Sequence, residues 1–302
     1  MRAVRIYQYG GPDALRYEDD VPEPAIGPDT VLIDALATSV NPIDWKIRSG
    51  ARQKDFPLTL PAILGRDVSG VVRAVGSDVG DFKPGDHVIA MADATYAQIV
   101  AVPSALVTRL PEGVDPIDAA AIPLVSLTGD QLVRVATQAA AGQTIFVSGA
   151  LGSVGRAAVH TAKKLGAKVI VGVRARQLVE AGSLGAYAAV ALDDEKAMAE
   201  LEALDGVADT VGGETAATLL GKVRAGGRFG YASVLPEGAR NPSVEVSRVF
   251  AQPDPSRLRE FADDIRDGKF VLPISRRMPL REAGAAHALL EKGGGGKIVL
   301  TT

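Results

Sequence analysis

The chain of 302 residues has no cysteine, a single tryptophan and only three histidines, His87, His160 and His287. Without cysteine there can be no disulfide framework, no thiol nucleophile and no thiolate metal site. The histidines fall in separate stretches without ligand spacing, so structural roles are expected for them and no metal is expected. The alternative is a composite site of His87 with Asp67 or Asp86. Long apolar runs are also missing: none approaches the roughly 18 residues of a membrane span. The opening Met1-Arg-Ala-Val-Arg-Ile-Tyr7 reads as a short strand and not as a signal peptide, which makes the cytoplasm the expected location. Neither sign of charge dominates, since 33 Lys and Arg face 36 Asp and Glu for a net charge of −3. Such a balance gives no footing for nucleic acid or an anionic membrane as the main partner.

Apolar residues and glycine are plentiful. With 47% apolar residues, a chain of 302 can fill two hydrophobic cores. Its 33 glycines include a run of particular order, Thr144-Ile-Phe-Val-Ser-Gly-Ala-Leu-Gly-Ser-Val-Gly155. Thr144 to Ser148 has the continuous apolar, β-branched character of a strand covered on both faces. From Ser153 to Leu165 the apolar residues follow helical spacing. Between strand and helix, Gly149, Gly152 and Gly155 let the backbone turn sharply and approach a pyrophosphate at the positive end of the helix. A plain tight turn needs glycine too, but the apolar strand Lys168 to Val173 follows. It closes a strand-helix-strand unit of about thirty residues, the size of a dinucleotide-binding half.

The end of that second strand discriminates between nicotinamides. An NAD site places an acidic residue there to accept from the ribose 2′-hydroxyl, whereas an NADP site presents cations to the 2′-phosphate. Here the strand runs into Arg174-Ala-Arg176-Gln177, with no carboxylate before Glu180. Arg174 and Arg176 therefore predict NADPH as cofactor, because guanidinium forks match phosphate oxygens. The competing reading is that both are solvated charges.

Up to about residue 120 the chain reads as short strands broken by Gly and Pro clusters, a β-rich, partly open barrel. Beyond it strands and helices alternate: a helix over 123–140, the strand at Thr144, the helix at Ser153, the strand at Lys168 and a helix from Gln177. Strands over 188–192, 206–211, 227–232 and 244–250 follow, and the alternation means α/β architecture with a doubly wound parallel sheet. A helix over 256–267, a strand near Phe270, a helix over 281–291 and a strand over 297–300 end the chain.

Together these blocks resemble the zinc-free quinone oxidoreductase branch of the medium-chain dehydrogenase/reductase superfamily, the group that includes zeta-crystallin. The resemblance spans the whole chain. It is carried by Val40-Asn-Pro-Ile-Asp-Trp-Lys-Ile-Arg-Ser-Gly50, Pro61-Ala-Ile-Leu-Gly-Arg-Asp-Val-Ser-Gly-Val-Val72, Phe82-Lys-Pro-Gly-Asp-His-Val88 and Ala119-Ala-Ala-Ile-Pro-Leu-Val-Ser-Leu-Thr128. The glycine turn, Asp209-Thr-Val-Gly-Gly213, Gly226-Gly-Arg-Phe229, Phe250-Ala-Gln-Pro-Asp254 and Gly296-Lys-Ile-Val-Leu300 add to it.

The resemblance implies a GroES-like β-barrel domain over 1–122, completed by 254–302, with a Rossmann domain over 123–253 and the cofactor in the cleft. It implies that Asn41 and Pro42 border the nicotinamide. Thr128 and the turn Gly149, Ala150, Leu151, Gly152, Ser153, Val154 and Gly155 would hold the pyrophosphate, and Arg174, with Arg176, the adenosine phosphate. Val211, Gly212, Gly213, Ala232, Ser233, Val234, Phe250, Ala251 and Gln252 would flank the nicotinamide, with Lys297 nearby. A homodimer joined through Rossmann sheet edges is implied too, and the apolar, proline-free strand over 244–250 is the natural edge.

Two departures from the family pattern stand out. Leu192 occupies a position where relatives often carry tyrosine, and Gly129-Asp130 follows Thr128 where alanine and an aromatic are usual. The zinc relatives' Gly-His-Glu segment is Gly65-Arg66-Asp67 here. Without an activated nucleophile, hydride transfer is the expected chemistry, with the cofactor supplying the hydride. A quinone or α,β-unsaturated ketone spreads the incoming charge by conjugation, so hydrogen-bond donors suffice at its oxygen. Asn41 is the first candidate donor, followed by Lys46 and Arg48. Their alternatives are a capping amide ahead of Pro42 and solvated surface charge, respectively. Tyr96 is the one plausible phenolic acid near the barrel, yet it is expected to pack. The competing activities are an enoyl-thioester reductase and, from another class, an NADPH-binding structural or sensor protein.

Overall fold

The computed structural model describes residues 1–293 and 296–302. Two compact units organise them, Met1–Leu124 with Pro253–Thr302, and Val125–Gln252.

In the first unit β1 (Ala3–Ile6) pairs antiparallel with β2 (Arg16–Glu18). The long β3 (Thr30–Val40) runs into α1 (Pro42–Arg48), and the short β4 (Ala62–Ile63) returns to β1. β5 (Asp67–Val75), β6 (His87–Met91), β7 (Ile99–Pro103) and β8 (Val107–Arg109) complete this stretch. Val31, Ile33 and Ala35 alternate into the apolar core formed with β5, β6 and β7, as expected for a strand with one solvated face. Alternation stops at Ala37: Ala37, Thr38, Ser39 and Val40 are all buried, so polar side chains enter the interior at the end of β3.

The second unit starts within α2 (Pro123–Gln131) and carries β9 (Thr144–Ser148), α3 (Ser153–Lys164), β10 (Lys168–Val173), α4 (Leu178–Ala181) and β11 (Ala188–Ala191). α5 (Glu195–Ala199), β12 (Leu204–Asp209), α6 (Gly213–Leu220), β13 (Val223–Tyr231) and β14 (Glu245–Arg248) follow. Its sheet has the order β11-β10-β9-β12-β13-β14, with every pairing parallel. Ile145 and Val147 pack with α3 on one face, while Phe146 packs with α6 on the other, the period of two that a strand imposes. A doubly wound sheet is the result. β9 and β12 are its central neighbours, so the chain leaves in one direction from β9 and returns to the other side at β12, and the switch point lies between them.

The chain then returns to the first unit through α7 (Pro255–Arg266), β15 (Ile274–Pro279), α8 (Ala283–Glu291) and β16 (Lys297–Thr301). β16 pairs antiparallel with β3, giving a seven-stranded sheet of order β15-β16-β3-β5-β6-β8 with β7 also on β3.

Three elements differ from the sequence reading. The helix expected over 123–140 is α-helical only to Gln131, continues as a π-helical stretch over Leu132–Thr137 and stops at Gln138 in the left-handed region, φ 49°. Thr137 there bonds back to the Val133 carbonyl at 2.7 Å. No strand forms at Phe270, whose ring packs on Phe261 at 5.3 Å between centroids. Pro273 cannot donate to a ladder, and β15 begins only after it. The helix expected from Gln177 is a single turn, α4.

Candidate active site

Register assembles a polar cluster at one end of β16, β3 and β5. Ile298 lies opposite Val40, which brings Lys297 beside Asn41, and Ala37 lies opposite Ser69, which brings Asp67 beside Ser39. Asn41 Nδ2 donates to Asp67 Oδ2 at 2.7 Å, and Lys297 Nζ donates to Asn41 Oδ1 at 2.7 Å and to Asp67 Oδ2 at 3.4 Å. Asp67 also accepts from the Ser39 hydroxyl and, through Oδ1, from the Leu124 N–H at 2.7 Å. Asn41, Asp67 and Lys297 are 1%, 0% and 3% exposed, so this is an ion pair in a low-dielectric interior. Burial pushes the Lys297 ammonium below its ordinary value, opposed by the charges of Asp67 and Asp44.

This geometry settles how the Asn41 amide is used. It does not cap α1: its nitrogen goes to Asp67 and its oxygen to Lys297, while the Asn41 backbone N–H is taken by Asp44 Oδ2 at 2.8 Å. Pro42 opens α1 in the exposed position where its missing N–H costs nothing. Lys46 is half-buried, its Nζ 5.6 Å from the centre of the Trp45 ring. Arg48 is neither surface charge nor part of the Asn41 cluster. It is 1% exposed and donates to the Gly10 carbonyl at 3.1 Å, to His287 Nδ1 at 3.4 Å and to Glu291. Those bonds engage all three guanidinium nitrogens in the unit's interior.

In the second unit, Gly149 (φ 61°) ends β9, and a Cβ there would meet Thr210 Oγ1 at 2.4 Å. A Cβ at Gly155 would lie 2.3 Å from the Gly149 carbonyl oxygen, so α3 packs against the turn with backbone on both sides. Ala150 is buried, Leu151, Ser153 and Val154 are half-buried, and Gly152 is exposed. Gly152 caps α3 without a side chain, which leaves the first amides of the helix facing outward for an anion.

Asp209, at the end of β12, accepts from Ser148 Oγ at 2.6 Å and from the Gly212 N–H at 2.9 Å, tying β9 to the loop after β12. Burial raises its carboxyl, and these bonds oppose the shift. Beyond the carboxyl ends of the adjacent strands β12, β13 and β14, Val211, Val234 and Phe250 are exposed. Gly213 N–H bonds to the Val234 carbonyl at 2.9 Å, and Ser233 Oγ to the Val211 carbonyl at 3.1 Å, with Gly212 and Ala232 between. Gln252 is held by Gln131 through two bonds, 2.7 and 2.9 Å, and Ala251 adjoins it half-buried. Arg174 and Arg176 are exposed after β10 and enter no ion pair among the described residues.

Both departures from the family pattern have a local account. A Cβ at Gly129 would stand 2.5 Å from the Val154 carbonyl oxygen, so α2 approaches α3 at backbone contact and alanine does not fit. Asp130 Oδ1 accepts from Thr161 Oγ1 of α3 at 3.1 Å and from Arg134 of the π-helical stretch at 2.8 Å, and Thr128 two residues earlier is nearly buried. Leu192 packs into the apolar cluster around Phe146. Sequence reasoning did not single out Asp44 or the bonds of Asp67 and His287, and it read Tyr96 as the one plausible phenolic acid near the barrel but expected it to pack. The first-unit partners are far apart in the chain, and only the Asn41–Asp44 spacing, Asn ahead of Pro with Asp three residues on, was a legible signal.

An open parallel sheet with a glycine turn at its switch point, inserted in sequence into a β-barrel, is the architecture of a medium-chain dehydrogenase/reductase. Residues 27–112 match the alcohol dehydrogenase GroES-like domain, and residues 165–300 match the zinc-binding dehydrogenase family. The quinone oxidoreductase of Pseudomonas aeruginosa is 33% identical, with 96% of this chain and 95% of that protein covered. An NADPH-dependent alkenal/one oxidoreductase of Arabidopsis thaliana is 35% identical over 70% of this chain and 58% of its own length. The structure of Escherichia coli quinone oxidoreductase complexed with NADPH superposes with a TM-score of 0.88 at 26% identity, covering 100% of both chains. Mammalian quinone oxidoreductases match over a shorter stretch: for that of Pongo abelii, 37% identity over 172 residues spans about half of the relative, 52%. The chain belongs to the quinone oxidoreductase branch of the medium-chain dehydrogenase/reductase superfamily.

Proposed function

We propose that the protein reduces quinones or α,β-unsaturated ketones with NADPH by direct hydride transfer. The observation that carries the substrate class is the buried Lys297–Asn41–Asp67 cluster, which presents hydrogen-bond donors and no nucleophile.

NADPH fits the residues present. The side-chain-free turn from Gly149 to Gly155 and the open start of α3 suit a pyrophosphate, and the uncommitted Arg174 and Arg176 suit a 2′-phosphate. In the second unit, Thr128 and the loops at Val211–Gly213, Ala232–Val234 and Phe250–Gln252 are proposed to contact the same cofactor. When bound, it supplies the hydride. Zinc does not fit. Among the described residues no three His, Asp or Glu side chains come together as a donor set, and the Asp67 carboxylate is already neutralised by Lys297. No step runs through a metal.

The chain's own contribution is electrostatic. An amide nitrogen carries two N–H groups and an ammonium three. Asn41 Nδ2 spends one on Asp67, and Lys297 Nζ spends one on Asn41 and one on Asp67, so each retains one for a substrate oxygen. Negative charge developing on an enolate or hydroquinone oxygen then meets donors already fixed in place, which need no reorganisation as the reaction proceeds. Asp67 holds both donors in register.

The first test is oxidation of NADPH and NADH by the purified protein, with EDTA present, against ortho-quinones, para-quinones and enones. Turnover with NADPH that survives EDTA is expected. Tight NADPH binding with no turnover on any acceptor overturns the reading in favour of a sensor or structural protein. Two copies are proposed to join through β14, the terminal strand of the second unit's sheet, where Val246 is exposed. No helix among the described residues is long and apolar enough to cross a membrane.

A further inference from the structure

Behind Asn41 the first unit contains a line of buried polar groups that the proposed chemistry does not touch. Asp44 Oδ2 accepts from the Asn41 backbone N–H at 2.8 Å and from the Tyr96 hydroxyl at 3.1 Å. The Tyr96 oxygen lies 2.9 Å from His287 Nε2, and His287 Nδ1 lies 3.4 Å from an Arg48 nitrogen. Tyr96 and His287 are both 0% exposed, and their rings meet edge to face.

The direction of each bond follows from chemistry. A guanidinium only donates, so His287 Nδ1 accepts and the single ring proton sits on Nε2. Burial and the charge of Arg48 hold this imidazole down at about 3, so it stays neutral at working pH. Nε2–H donates to the Tyr96 oxygen, and the phenolic proton is left for Asp44. Among the described residues Asp44 Oδ1 has no partner, so the carboxylate is oriented through Oδ2.

We propose that Tyr96 and His287 are positioning residues for Asn41, acting through the Asp44 carboxylate to fix the backbone from which the Asn41 amide is presented. This rests on the reading of Asn41 as a donor to substrate.

Several groups set the state of Asp44. Asn41 N–H reaches it from the start of α1, Tyr96 from the segment before β7, Asp67 from β5 and Lys297 from β16. Arg48 on α1 and His287 on α8 act one step further back, through Tyr96. Burial raises the carboxyl to about 7, Asp67 adds to the rise, and Asn41, Lys297 and Tyr96 oppose it. Both donors go to Oδ2, and both bonds are stronger when the carboxylate is ionised. Removing the Tyr96 hydroxyl therefore moves Asp44 ionisation to higher pH.

The test uses phenanthrenequinone as acceptor at saturating NADPH and follows kcat from about pH 5 to 9. The wild type, Tyr96→Phe and Asp44→Asn are compared, and carbon-13 NMR follows the Asp44 carboxyl directly. An acid limb near neutrality is expected for the wild type. In Tyr96→Phe the limb and the Asp44 titration should both move up by about one pH unit, with KM for NADPH changed less than about twofold. In Asp44→Asn the limb should vanish. Should Tyr96→Phe not fold, His287→Leu is read in the same way, and His287→Gln, which restores an N–H donor, should return the limb toward the wild-type position. An Asp44 titration unmoved in Tyr96→Phe overturns the proposal whatever turnover does, and so does a limb that stays put while the titration moves. Unchanged turnover in Asn41→Ala is a separate result, which overturns the donor reading while the NMR shift still reports the Tyr96–Asp44 coupling.

Discussion

The candidate residues fall into two halves, one in each unit, that are built on opposite principles. In the first unit the Asn41–Asp67–Lys297 cluster is buried and bonded to itself, with every heavy polar atom of the three side chains already in a hydrogen bond. In the second unit the carboxyl edge of the sheet exposes Val211, Val234 and Phe250, and Arg174 and Arg176 stand in solvent. The first arrangement carries its electrostatics as part of folding. The second is a surface completed by what binds to it. Substitutions in the first should therefore report on stability and turnover together, and substitutions in the second on affinity alone.

The largest expected effect breaks the first half. Asp67→Ala leaves the Lys297 ammonium buried without its counter-charge and removes the acceptor of Ser39, Asn41 and the Leu124 N–H. A loss of about 3–5 kcal/mol is expected from urea unfolding, part of it recovered in the double variant with Lys297→Met. No recovery in the double variant would show that the cost comes from the other bonds. Next, Asn41→Ala should lower kcat by about 10²–10³ while cofactor affinity stays near the wild-type value. Weakened NADPH binding at unchanged kcat would move Asn41 from the first kind of site to the second.

How much of each half was legible follows from how local it is. The glycine turn is one contiguous stretch, Gly149 to Gly155, with its strand and helix on either side, and sequence pattern suffices to place it. Asp67 could be read only as the residue standing where zinc relatives have a ligand, because its partners Asn41, Leu124 and Lys297 are far away in sequence and are joined to it by sheet register and chain return. The Tyr96–His287 bond spans 191 residues and has no local signature at all. Gly129 is the converse case. The sequence shows a departure from the family pattern, but its reason, a backbone contact with Val154, exists only once α2 and α3 are packed. Likewise Ile47 and Met91 are core residues of the first unit, which their apolar character alone does not reveal, since an apolar side chain in sequence does not say which surface it covers.

In the second half, Arg174→Ala combined with Arg176→Ala should weaken NADPH by about 10–100-fold and leave NADH little changed, the value of charge-assisted phosphate contacts. Isothermal titration with both nucleotides reads this directly. Equal losses for NADPH and NADH would mean that the two guanidiniums do not meet the 2′-phosphate, and the expected contrast between affinity and stability would then rest on the glycine turn alone.

A pH-dependent effect separates stability from turnover within the first unit. Asp44 has its carboxyl raised to about 7 by burial, against an ordinary value of 3.8. The folded state then holds a proton that the unfolded chain releases, so this group's contribution to stability is full below about pH 4 and is lost as the pH rises toward 7. The Tyr96 bond favours the ionised form, so the pH range in which the positioning chain is strongest is the range in which the group stabilises the fold least. Asp44→Asn should flatten the fall of unfolding free energy between pH 4 and 7, measured by urea melts at each pH, relative to the wild type. An unchanged slope would place the Asp44 carboxylate in its ionised form throughout, held there by Lys297 and Tyr96, and would bind the two behaviours of the first unit into one.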